Sequence, residues 1–65
     1  MTLQQMIKQK GFTNYSLAKK AQIGQSTVCE LVSGKRKEPR ASTVIKISNA
    51  LGIEIEKIYQ AIKEG

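Results

Sequence analysis

The chain has 65 residues, which suits one small domain over the whole length and a thin core, since folding at this size hides only about 60% of the unfolded surface. Cys29 is the only cysteine and histidine is absent, so an internal disulfide is excluded and neither a metal site nor a cofactor is expected. Eleven Lys and Arg against five Asp and Glu give a net charge of +6, which favours polyanionic partners, although charge alone does not separate these from a merely soluble basic protein.

No apolar run approaches the ~18 residues that a membrane span requires. The opening Met1-Thr2-Leu3-Gln4-Gln5-Met6 is amphipathic from its start, without a basic lead into an apolar stretch. A secretory signal is therefore not expected, and a reduced, cytoplasmic setting fits the lone thiol.

Apolar spacing is helical nearly throughout. Thr2 is a good N-cap, Leu3, Met6 and Ile7 follow at helix spacing, and Gly11 ends the segment. Thr13 caps a short second helix through Ala21, with Leu17, Ala18 and Ala21 turned inward. Gln22-Ile23-Gly24 forms a tight connection. A third helix runs from Gln25 to about Ser33, with Val28, Leu31 and Val32 on one face and Gly34 as its stop.

Lys35-Arg36-Lys37-Glu38-Pro39-Arg40 has no periodicity and holds the only proline, so it is a loop. Ser42 caps a fourth helix carrying Val44, Ile45, Ile47, Ser48 and Leu51, and Gly52 terminates it. Glu54 can cap a fifth, with Ile55, Ile58, Tyr59 and Ile62 at helical spacing. Ile53-Glu54-Ile55 alternates like a strand, but so short a piece without a partner makes a poor sheet. The expected fold is all-α, with five short helices and no internal repeat or linker.

The region from Asn14 to Glu30 is the most informative. Ala18 stands where two helices must approach closely, and a larger side chain would push them apart. The turn follows, with Ile23 plugging the corner from inside, and then Val28 and Leu31 face back toward Leu17 and Ala21. Two helices crossing at about 90–120° over a short turn require this order. It leaves Gln25, Ser26, Cys29 and Glu30 facing outward on the second of the pair. Generic helical hairpins share the hydrophobic part of the pattern.

Phe12-Thr13-Asn14-Tyr15-Ser16-Leu17-Ala18-Lys19-Lys20-Ala21, followed by Ile23-Gly24-Gln25-Ser26-Thr27-Val28, resembles the phage-repressor/Cro type of helix-turn-helix family. Gly34-Lys35-Arg36 and Ala50-Leu51-Gly52-Ile53, followed by Glu56 and Ile58, fit the same family's later segments. The resemblance covers nearly the whole chain. It implies a compact, lambda-repressor-like five-helix domain, a transcriptional regulator whose third helix enters the major groove of double-stranded DNA. It also implies a two-fold homodimer on a palindromic operator. The sequence departs from the family's habit at four positions. Gln22 stands where glycine is common, Gly24 replaces a Ser or Thr cap, Val32 stands for glutamate and Ser33 for asparagine.

Within that resemblance, Gln25 can offer its amide to both edges of an adenine or bond a phosphate. Ser26 can reach a base edge or a backbone oxygen. Thr27 can present its methyl to a thymine or its hydroxyl to a phosphate, in competition with packing against the preceding helix. Cys29 fills space on the groove-facing or sideways face. Glu30 either accepts from a cytosine amino group or pairs with a nearby lysine. Phosphate contacts are expected from the backbone amides at Thr13 and Asn14, from Tyr15, and from the loop cations Lys35, Arg36, Lys37 and Arg40. Ile53, Ile55, Tyr59 and Ile62 offer more apolar surface than one helix needs, either completing the monomer core or forming a dimer patch.

An enzyme is not expected: there is no carboxylate pair in a cleft-like context, no Gly-rich phosphate loop, and no base for Cys29. The main rival is a protein-interaction module, such as an antitoxin, using the same fold with weak DNA binding. RNA binding is disfavoured, because Phe12, Tyr15 and Tyr59 are too few and too scattered for a stacking platform.

Overall fold

A computed structural model describes residues 2–36 and 38–64. These form five helices and no strand: α1 (Leu3–Gln9), α2 (Asn14–Ala21), α3 (Gln25–Ser33), α4 (Ala41–Leu51) and α5 (Ile55–Glu64). The all-α expectation holds.

The first two helices start on reciprocal caps. The Thr2 hydroxyl accepts from the Gln5 amide at 3.2 Å while the Gln5 side chain accepts from the Thr2 amide at 2.9 Å. At α2, Thr13 Oγ1 accepts from the Ser16 N–H at 3.0 Å and Ser16 Oγ from the Thr13 N–H at 2.8 Å. Each box satisfies two backbone donors at its helix start, the second doing with serine what glutamate or glutamine usually does.

The fourth helix begins differently from the Ser42 start expected. Arg40 is its N-cap, in extended conformation directly after Pro39, and the Arg40 carbonyl accepts from the Val44 N–H at 3.1 Å. Proline is barred from a helix interior, so α4 can start only near or after Pro39, and it does so with Arg40 as its cap, earlier than the serine signal suggests. No side chain caps this end.

The core draws on every helix. Ile7, Leu17, Val28, Leu31, Ile47, Ile58 and Ile62 are sealed from solvent, each worth about 1.5–3 kcal/mol relative to exposure. α2 packs on α3 and α4, α4 on α5, and α1 on α3 and α5. Ala18, 4% exposed, lies in this core and keeps the side of α2 narrow. Phe12, Ile23, Val32 and Ile53 close the edges, half-buried. Ile45 does not join them. Val44, Ile47, Ser48 and Leu51 share the inward side of α4, and Ile45, one residue round from Val44, remains 44% exposed.

Candidate nucleic-acid interface

The corner between α2 and α3 is made by Gln22, the one described non-glycine residue with positive φ, at φ 59 and ψ 44. Its amide and that of Ile23 turn back onto the last turn of α2, bonding the Lys19 carbonyl at 3.3 Å and the Ala18 carbonyl at 3.0 Å. Those bonds satisfy two carbonyls that the helix end would otherwise leave open. Gly24 then resumes extended backbone, and its carbonyl accepts from the amides of Thr27 and Val28 as α3 begins.

Val28 and Leu31 tie α3 to the core. With about 100° of rotation per residue, Ser26 and Ser33 fall on the opposite side, with Cys29 and Glu30 beside them and Gln25 and Thr27 at the flanks. Gln25, Ser26, Cys29 and Ser33 are exposed, and Thr27 and Glu30 are half-buried. Thr27 is turned toward the corner, its Oγ1 lying 3.6 Å from where a Cβ on residue 24 would sit. Ser33 was not among the sequence candidates. Its position diametrically opposite the buried pair was the available signal.

Glu30 pairs with an arginine rather than the lysine considered from the sequence. Its carboxylate lies 3.1 Å from the Arg36 guanidinium, and its carbonyl accepts from the Arg36 amide at 3.3 Å and from the Ser33 hydroxyl at 3.3 Å. The start of the basic loop is thereby folded back against α3. Lys35 and Arg40 are exposed, and among the described residues neither meets a carboxylate. Lys37 lies outside the described residues.

At the start of α2, Thr13 is exposed but committed to its cap with Ser16. Asn14 is half-buried, with Oδ1 enclosed and accepting no hydrogen bond. Tyr15 is 56% exposed, its ring 5.7 Å from the Lys19 ammonium.

A second surface lies across α4 and α5. Pro39, Ala41, Val44, Ile45, Ile55 and Tyr59 line an open apolar groove of about 340 Å³. At its α5 side Lys63 sits 5.1 Å from the Tyr59 ring and 3.5 Å from Glu38. Glu38, and after it Tyr59, hold the Lys63 ammonium above its ordinary pKa. Of the residues expected at a dimer patch, Ile55 and Tyr59 are exposed, but Ile62 is wholly buried and Ile53 packs on the core's edge. Ile62 therefore completes the monomer core and has no surface left for a partner. Ile45 and Pro39 take the outer place, which the sequence reading did not single out because apolar spacing along α4 does not separate Ile45 from its buried neighbours.

Among the described residues no three side chains group as metal ligands, and no helix is long and apolar enough to cross a membrane. No curated protein and no solved structure matches the chain. The model of the Cro/C1-type helix-turn-helix DNA-binding domain matches residues 2–64. With that match spanning both helices of the corner and all that surrounds them, the chain belongs to the Cro/C1-type helix-turn-helix DNA-binding family.

Proposed function

We propose that the protein is a sequence-specific double-stranded-DNA-binding regulator, a repressor working in the cytoplasm, that seats α3 in the major groove. The observation that carries this reading is the face of α3 opposite Val28 and Leu31, polar along its length and propped outward by the Gln22 corner. Gln25 and Ser26 stand in the first turn of α3 and are the base readers, with Cys29 and Glu30 beside Ser26 a turn further on and Thr27 at the flank. A helix-turn-helix reads DNA with the first turns of its second helix, so residues at this end have the shortest reach to base edges.

The backbone amides at the start of α2 and the side chains of Tyr15, Lys35, Arg36, Lys37 and Arg40 hold phosphates on either side. Because the Oδ1 of Asn14 is enclosed, that residue contributes its amide rather than its side chain. A second copy docks on the groove formed by Pro39, Ile45, Ile55 and Tyr59, giving a two-fold dimer on a palindromic site. An isologous pair doubles the contacts of a module that would hold one half-site weakly.

The test is a selection from random duplexes with sequencing of the bound pool. An enriched inverted repeat supports sequence reading and dimerisation together, whereas recovery without enrichment removes the sequence-specific part. The same apolar groove also favours a second reading, an interaction module such as an antitoxin that binds another protein there. That reading predicts weak, unselective duplex binding in the same selection.

A further inference from the structure

Glu30 is the one carboxylate on α3, and nothing in the base-reading scheme requires it. It is also the first carboxylate in the chain: residues 1–29 contain none, while Lys8, Lys10, Lys19 and Lys20 lie among them. A negative charge placed on the helix that meets a polyanion opposes binding unless it is neutralised or put to use. Two contacts reach it from the same residue. The Arg36 guanidinium lies 3.1 Å from its carboxylate, and the Arg36 amide bonds its carbonyl at 3.3 Å. The backbone bond holds the loop close to α3, so the side-chain pair forms from a tethered arginine rather than from one that must be collected from solvent.

We propose that Glu30 is a positioning residue acting through Arg36: its carboxylate holds the Arg36 guanidinium against α3 and damps that cation's sequence-independent attraction to phosphate. This rests on the DNA-binding reading above and assigns Glu30 a task other than accepting from a cytosine. A guanidinium can bond a phosphate fully only by leaving or sharing its carboxylate partner. The side chains are 47% and 42% exposed, so the pair is weak enough to be broken by a duplex and strong enough to weigh against non-specific contact. Arg36 is then a reserve cation, whereas Lys35 beside it has no carboxylate partner among the described residues and is engaged at every encounter.

The experiment is a double-substitution cycle. The unaltered chain, Glu30→Gln, Arg36→Ala and the double variant are titrated with a random-sequence duplex over a range of salt, and each is melted to verify folding. Glu30→Gln is expected to tighten random-duplex binding by up to about five-fold, the range of an exposed pair. The log–log salt slope should steepen by about 0.9 as one more phosphate is neutralised. In the Arg36→Ala background both changes should vanish. Selection from random duplexes with Glu30→Gln should return the same sequence as the unaltered chain. Equal tightening in both backgrounds would mean that Glu30 simply repels phosphate, and a changed base at one position would mean that it reads a base; either overturns the inference alone. If the unaltered chain holds no duplex even at low salt, the DNA-binding reading fails, and this inference with it.

Discussion

The amide of Ile23 donates to the carbonyl of Ala18 at 3.0 Å, closing the α2 end around a Gln22 held in the left-handed region at φ 59. One bond thus joins the corner's apolar plug to the small residue that the adjoining helices pack around. The strain of this arrangement falls on Gln22, since a left-handed residue other than glycine crowds its own Cβ. Gln22→Gly is expected to stabilise the domain by about 0.5–1 kcal/mol, the relieved penalty less glycine's greater freedom in the unfolded chain. At about 4–8 °C per kcal/mol for a domain of this size, a thermal melt resolves the gain. Gln22→Val should lower the melting temperature. A melt in which the glycine variant is the less stable would show that the Gln22 side chain contributes something beyond its backbone angle.

Gly24 offers a second route to stability. Its φ of −68 and ψ of 143 suit any residue, and no side chain caps α3. An added Cβ would meet only Thr27 Oγ1 at 3.6 Å, an ordinary contact. Gly24→Ser should stabilise by about 0.5–1 kcal/mol, through a cap oxygen and a less flexible unfolded chain. Chemical denaturation should move the midpoint upward without changing the slope.

Both residues were visible in the sequence as departures from the family's habit, and the corner could be located because turn, plug and return contacts all follow from spacing. The positions of α1, α2 and α3 were legible because the threonine caps of the first two and the glycines after the first and third agree with the apolar pattern. The start of α4 was less so, because Pro39 and Arg40 begin the helix without any side-chain signal and Ser42, a good cap type, lies just inside it. Ile45 and Ile62 were not legible for a different reason. Both sit among apolar neighbours, and which of them is buried is set by packing against other helices, which spacing along one helix does not encode. The Glu30–Arg36 pair depends on how the loop leaves α3, which local pattern does not encode.

Ser48 is the buried polar residue of the core, and its hydroxyl donates to the carbonyl of Ile53 across the α4–α5 turn. The amides of Gly52 and Ile53 meanwhile bond the Ser48 carbonyl at 2.8 and 3.2 Å. Ser48→Ala should cost about 1–3 kcal/mol, because the Ile53 carbonyl loses a donor in a partly buried place. Amide exchange should quicken first at Gly52 and Ile53, with the α2–α3 corner unaffected at low denaturant. Unchanged exchange there would mean that water replaces the hydroxyl without loss.

The proposed dimer surface separates cleanly from the core. Ile55 and Tyr59 are 47% and 37% exposed, whereas Ile62 is wholly enclosed. Ile55→Gln with Tyr59→Gln is expected to leave the helical signal intact while converting the dimer to monomer in sedimentation. Ile62→Ala should instead lose about 2–5 kcal/mol of folding stability through the cavity it opens. An unaltered chain that remains monomeric both free and on its selected duplex would remove the dimer proposal and leave the single-domain reading of α3 standing.

Gln25 and Lys35 carry the contrast between reading and holding. Gln25 stands exposed at the first position of α3, and Lys35 follows the Gly34 stop at its other end without a carboxylate partner among the described residues. Gln25→Ala should cost roughly 1–3 kcal/mol on the selected site and little on random duplex, because a lost base contact matters only where its base is present. Lys35→Ala should weaken both duplexes by a similar factor and flatten the log–log salt slope by about 0.9, one phosphate's share of released counterions. Affinities measured across a salt series on the two duplexes distinguish the roles. If Gln25→Ala weakens both duplexes alike, its amide holds the backbone, and sequence reading must pass to Ser26 and the residues beyond it on the same face.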